Sequence, residues 1–306
     1  MEERPPEIRR HRQASSATRA LAALGGVILG VGVLAAIAFA VIGRDSGASS
    51  NPATQSATTT GPPPKPVLRI VFPEGFTRVE MANRITAVNK IAEDKRHITP
   101  KLSEKEYLRL TKATDPPKGF PKNVPNLEGF LFPATYDFTE DTTTKELMND
   151  QLEAFDRNWG EIDMKYAASK NLDPYDVLII ASMIEKEVQV PKERPLVAAV
   201  IYNRLHLGMP LGIDATIRYG LDIPPTQAIL QSQLETPSPY NTRCPSCTGL
   251  PPTPIGNPGL ASMQAAAHPS KVDYLYFVRK ADCKSHFFTA SEEEFNNYPR
   301  GGLNCG

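Results

Sequence analysis

The sequence predicts an α+β protein: a single N-terminal transmembrane helix, a small α/β module, and then a larger mixed α+β domain. Three observations lead there. One long apolar run lies near the N-terminus, a polar Pro/Ser/Thr-rich stretch follows it, and strand-like runs flank helical periodicity in the remainder. The chain of 306 residues carries 34 basic and 34 acidic side chains. A net charge of zero argues against a nucleic-acid partner held by bulk electrostatics.

Residues 21–43, LAALGGVILGVGVLAAIAFAVIG, contain no charged side chain. At 1.5 Å rise per residue the run spans about 34 Å, enough for a bilayer core, and it exceeds the roughly 7 to 15 apolar residues of a cleaved signal peptide. Arg4, Arg9, Arg10, Arg12 and Arg19 precede it, whereas Arg44 alone follows closely. The basic arm 1–20 is therefore expected in the cytoplasm and everything beyond residue 43 outside it. Residues 44–66 have almost no large apolar side chains and read as a disordered tether reaching roughly 25 to 70 Å.

Beyond the tether, VLRIVF (67–72) reads as a strand and Pro73–Gly75 as a turn. Thr77 and Glu80 form a T-x-x-E capping box, with Met81, Ile85 and Val88 at helical spacing behind it; LSEKEYLRLTKA (102–113) is a second helix. These define a small module over 67–125, and the larger domain takes 126–306. NLEGFLFPATYDF (126–138) suits an aromatic loop and edge strand, whose rings either fill a core or stack on sugars.

Asp173 and Pro174 are an N-cap and first-turn pair for a helix ending near Val188. At 100° per residue, Val177, Ile180, Met183 and Ile184 form its apolar stripe and Glu187 falls within about 20° of the stripe's centre. Glu185, about 140° from that centre, and Lys186, about 240° round, fall off it. Spacing alone leaves two readings of Glu187: an acid held against apolar walls, or a helix end that lets the acid reach solvent. In the first, burial raises the carboxyl pKa, which is what a general acid acting on a glycosidic oxygen requires.

A further helix is expected over 193–207 with Gly208 as its C-cap, followed by long loops rich in Pro, Gly and small polar residues, and then strands over 273–278 and 285–290. Cys244, Cys247, Cys283 and Cys305 fall on the exported side, where disulfides are the plain reading; four cysteines allow three connectivities, and C-x-x-C is also half of a zinc ribbon. His97, His206, His268 and His286 show no H-E-x-x-H spacing. His268, before a proline, suits a turn or helix end; His286 sits in an aromatic strand-like run.

The ordered blocks LEGFLFPATYDF, ASMIEKEV, ERPLVAAVIYNRLHLGMPLGIDATIRYGL, SPYNTR, GLPPTPIGNPGLASMQAAAHPSKVDYLYFV and HFF resemble the MltG (YceG-like) endolytic murein transglycosylases over roughly 67–290. The resemblance implies a membrane-anchored, extracytoplasmic enzyme with a LysM-like module ahead of its catalytic domain. Its substrate would be the peptidoglycan glycan strand, cut internally without water to leave 1,6-anhydro-N-acetylmuramic acid ends. It also implies the company of peptidoglycan synthases, although no motif here shows it, and no cofactor or metal. Carried over, the catalytic acid is Glu187, with Glu185 as the fallback. Asn203, Asp214, Thr216, Tyr219, Tyr240, Asn241 and Thr242 lie in the matching blocks as candidates for substrate contact or structural support.

Two departures stand out. Val188 follows Glu187 where many lytic transglycosylases carry Ser or Thr, and CPSC interrupts the loop after Thr242. A bond from that loop to Cys283 or Cys305 would pin it over the cleft, while a local clip is equally compatible. Two rivals remain: a hydrolase using a second carboxylate from Asp214, Glu193 or Glu235, and a tethered wall-binding scaffold stiffened by zinc.

Overall fold

The computed structural model describes residues 65–299. The basic arm, the expected membrane helix over 21–43, nearly all of the tether and Cys305 lie outside the described residues. Among the described residues no helix is long and apolar enough to cross a membrane.

The fold is mixed α+β, with most of its mass in helices. Strand β1 (Leu68–Val71) leads through the turn at Gly75, whose φ is +79°, into helix α1 (Arg78–Arg96). The Thr77–Glu80 capping box forms as the sequence predicts: Glu80 N–H donates to Thr77 Oγ1 at 3.1 Å, and Thr77 N–H donates to Glu80 Oε2 at 2.7 Å. Helix α2 (Glu104–Ala113) packs on α1, and β2 (Thr135–Phe138) returns antiparallel to β1 with Leu68 opposite Phe138 and Val71 opposite Thr135. That pairing crosses the boundary expected at residue 125. The small sheet closes only with residues 135–138, because a strand at 67–72 needs a partner and finds it beyond the predicted break.

Helices α3 (Thr144–Trp159), capped by Thr143 and Glu146, and α4 (Lys165–Ser169) follow. Phe130 is fully buried and its ring lies 4.9 Å from that of Phe120 and 5.3 Å from that of Phe155. Phe130 of the LEGFLF block is thus core, while Phe132 is partly buried against it.

Helix α5 (Pro174–Glu187) opens on the Asp173 cap and is buried at every position from Tyr175 to Ile184. It is the central post of the fold. Helices α6 (Arg194–Leu207) and α9 (Leu260–Ala267) pack against it, with Gly208 ending α6 in the left-handed conformation at φ +65°. His268 caps the end of α9. Because neighbours surround α5, the one-stripe reading fails for Glu185: its side chain is only 6% exposed although the wheel places it off the apolar face.

Within the stretch expected to be loop, DATIRYG forms the short helix α7 (Asp214–Gly220), and α8 (Gln231–Leu234) adds one turn. The closing hairpin pairs β3 (Tyr276–Arg279) with β4 (His286–Thr289), and α10 (Glu292–Asn297) follows.

One loop residue ties these parts together. Asn257 is fully buried. Its Oδ1 accepts from Gly129 and Leu131 N–H, both at 2.9 Å, and its Nδ2 donates to Phe76 O at 2.8 Å and to Glu128 Oε1 at 2.9 Å. A buried amide with all four bonds made locks three distant segments into one geometry.

Candidate active site

The C-terminal end of α5 opens into a cleft of about 1350 Å³. Its walls come from the first turn of α1, from α7, and from the β3–β4 hairpin. Glu187, the last residue of α5, lines this space and is half-buried. Its carboxyl pKa is raised above the ordinary carboxylate range, first by burial and then by the nearby charge of Asp214; Arg279, the N–H of Ala215 and Arg243 act in the opposite direction.

The start of α7 sets that Ala215 contact. Thr242 Oγ1 accepts from Ile213 N–H at 3.0 Å and lies 3.0 Å from Thr216 Oγ1, and Gly212 N–H donates to Thr242 O at 2.7 Å. Asn241 Nδ2 donates to Leu234 O at 2.8 Å and Thr236 O at 3.0 Å, while its Oδ1 accepts from Arg243 N–H at 2.9 Å. Arg243 in turn pairs with Asp214. The segment 241–243 therefore acts as a bracket that presents α7 and Asp214 to Glu187.

Of the sequence-derived candidates, Glu187, Asp214 and Tyr219 line the cleft. The other five lie behind it, with their polar atoms engaged by protein. Asn203 Nδ2 donates to Val272 O at 3.0 Å and Tyr274 O at 2.9 Å, tying α6 to the lead-in of the hairpin. Thr216, Asn241 and Thr242 form the bracket just described, and Tyr240 OH lies 2.8 Å from Thr253 Oγ1. Glu185, the fallback acid, does not line the cleft. It accepts from Gly259 N–H at 3.0 Å and faces Arg194 Nη2 at 3.6 Å.

Two acidic groups were not singled out by pattern. Glu128 lines the cleft and is 3% exposed. Its carboxyl accepts from Arg78 N–H at 2.9 Å, from Asn257 Nδ2 and, at 3.2 Å, from Tyr219 OH, yet burial outweighs these bonds and pushes its pKa up to about 7. The signal for it was present but not unique, since the aromatic block LEGFLFPATYDF carries two acids, Glu128 and Asp137. Glu193, weighed only as a hydrolytic carboxylate, is 4% exposed and bonds His286 Nδ1 at 2.8 Å. That contact spans two elements 93 residues apart in sequence, so spacing carries no trace of it. Glu235 does not line the cleft.

Cys244 is bonded to Cys247, a local clip directly after Arg243, and not a strap to Cys283. Among the described residues no group of three His, Cys, Asp or Glu side chains is placed to hold a metal ion.

A model of the YceG-like family matches residues 47–300. The chain is 34% identical over 233 residues to a protein of Bacillus subtilis (strain 168) named endolytic murein transglycosylase, covering 74% of this chain and 63% of that protein. It is 30% identical over 257 residues to the protein of the same name from Streptococcus pneumoniae R6, covering 77% of this chain and 45% of that one. The chain thus spans less than two thirds of either relative. A crystal structure of a yceG-like protein from Listeria monocytogenes superimposes with a TM-score of 0.62 at 31% identity, covering 74% of this chain and 75% of that one. On this match and this architecture, the chain belongs to the YceG-like family.

Proposed function

We propose that this protein is a lytic transglycosylase that cuts peptidoglycan glycan strands internally, with Glu187 as its single acid and base. The observation that carries the reading is a carboxyl at the end of a buried helix, facing a large cleft, with its proton affinity raised by burial and by Asp214. The names of the relatives point to the same chemistry.

Protonated Glu187 donates to the oxygen joining C1 of N-acetylmuramic acid to C4 of N-acetylglucosamine. The C1–O bond breaks, and the N-acetylglucosamine side leaves with a free 4-hydroxyl. The C6 hydroxyl of the muramyl residue then closes on C1 and returns its proton to the Glu187 carboxylate. No water is consumed. Asp214 and Tyr219 contact the sugars from α7, and Asn203, Thr216, Tyr240, Asn241 and Thr242 hold those walls in place. The unit β1–α1–α2–β2 serves as the LysM-like module, the run 21–43 anchors the chain with its catalytic part outside the cell, and peptidoglycan synthases are its neighbours at the membrane.

Asp214 also favours a second reading, since it is a carboxylate in the same cleft acting on Glu187, as a hydrolase would need. Mass spectrometry of uncrosslinked strands incubated with the full-length chain separates the two. Internal fragments with 1,6-anhydro ends, abolished by Glu187→Gln, are expected, the loss being at least about 10³-fold for removal of the only general acid. Reducing ends would establish hydrolysis, and undiminished cleavage by Glu187→Gln would remove Glu187 from the mechanism.

A further inference from the structure

The cleft is rich in cations, and among the described residues all but one of its lining Lys and Arg side chains are engaged by the protein itself. Arg78 Nη1 donates to Leu108 O at 3.1 Å, Arg204 to the carbonyls of Leu275, Pro210 and Leu211, and Arg218 to those of Pro224 and Gln227. Arg243 pairs with Asp214, and Lys186 lies 3.7 Å from Glu80. Arg279 differs. It lines the same cleft from β3, and its guanidinium has no hydrogen bond or ion pair among the described residues.

The hairpin fixes where Arg279 stands. It is directly opposite His286 in the antiparallel register and shares a face with Phe277, whose ring meets the His286 ring edge-on at 5.4 Å. The acid behind that face, Glu193, is already bonded to His286, and Glu128 is held by Arg78, Asn257 and Tyr219. Arg279 is close enough to Glu187 for its charge to oppose the rise in that carboxyl's proton affinity. A half-buried guanidinium with a free fork is matched geometrically by a carboxylate, which it binds through two parallel N–H···O bonds.

We propose that Arg279 binds a carboxylate carried by the muramyl residue of the strand, so that the chain selects strands whose muramyl substituents are negatively charged. This rests on the glycan-strand reading above. Two sources present that chemistry beside the scissile bond: the stem peptide, and the lactyl ether itself once the peptide has been removed. Arg279 is a specificity residue here, and Glu187 does the chemistry.

The test compares native uncrosslinked strands with the same strands after amidation of their carboxyl groups, and with strands stripped of peptide. Binding is measured on the full-length Glu187→Gln chain, which holds strands uncut, with and without Arg279→Gln. The chain with Arg279 intact is expected to prefer native over amidated strands by about tenfold, Arg279→Gln to bind both alike, and Arg279→Lys to keep part of the preference. Retention of the preference on stripped strands assigns the lactyl carboxylate, and its loss there assigns the stem peptide. Equal binding of native and amidated strands with Arg279 intact, or a preference undiminished by Arg279→Gln, overturns the proposal. Failure of the glycan-strand reading is read separately, as the absence of any cleavage by the parent chain on either substrate.

Discussion

At the scale of single residues, the two cleft carboxyls Glu187 and Glu128 show how burial and hydrogen bonding divide roles. Both are pushed upward, but Glu187 faces the cleft beside Asp214, whereas Glu128 is enclosed by three donors. Glu128 has a consequence for stability. Its folded-state pKa of about 7 lies above the ordinary 4.5, so the folded state holds a proton that the unfolded chain has released between those values. Its contribution is fully present below pH 4.5 and is lost as pH rises through 7, about 3 kcal/mol in all. Glu128→Gln copies the protonated form, with an oxygen for Arg78 and Asn257 and an N–H for Tyr219. Chemical denaturation between pH 4.5 and 8 should therefore show the parent losing stability relative to Glu128→Gln as pH rises. A parent that gains on the variant over that range would contradict the assignment.

Among elements, one loop makes a close approach to α5. Gly129 sits at φ +92°, and a Cβ there would lie 2.6 Å from Pro254 Cγ and 3.2 Å from Leu178 Cδ2. Both the backbone conformation and the space exclude a side chain. Gly129→Ala is expected to cost about 2 to 4 kcal/mol, a fall in Tm on the order of 10 °C by calorimetry. An unchanged Tm would mean that the 128–131 loop can leave Asn257 without penalty. The same packing shows why α5 was only partly legible from its sequence. Its cap and its length follow from Asp173, Pro174 and the periodicity, and the structure agrees on both; Glu187, which periodicity left between core and solvent, is half-buried at the cleft. Glu185 did not yield to the wheel, because a helix enclosed on every side has no polar face to assign. Helices α7 and α9 were missed because they are short, lie among prolines and glycines, and draw their stability from contacts that no local pattern records.

Taken as a whole, residues 65–299 depend on a pairing that crosses the expected domain break. Leu68 faces Phe138, and Ile70, Phe72, Met81 and Ile85 are buried in the same core as Leu127, Phe130 and Leu131. A fragment starting at residue 126 would lose β1 and α1, leave β2 without its partner, and remove Phe76 O and Arg78 N–H from Asn257 and Glu128. That fragment is expected to give no cooperative thermal transition, whereas one starting at residue 65 should give a single one. Two independent transitions in the longer fragment would show that the pieces fold separately after all.

The sequence by itself determined the mixed α+β class, the capped starts of α1 and α5, the C-cap at Gly208 and the closing hairpin; for Glu187 periodicity left two readings open, and the family resemblance named it. The features so determined are written in residues a few positions apart, where capping, periodicity and turn chemistry act. Only the tertiary structure decided that five of the seven binding candidates stand behind the cleft, that Glu185 is a brace, that Glu128 joins the site, and that Arg279, among the described residues, is the cleft guanidinium left without a hydrogen bond or ion pair. Those outcomes depend on which distant segment supplies the neighbouring charge, hydrogen bond or wall, and a carboxyl's proton affinity is set by that surrounding rather than by its place in the chain.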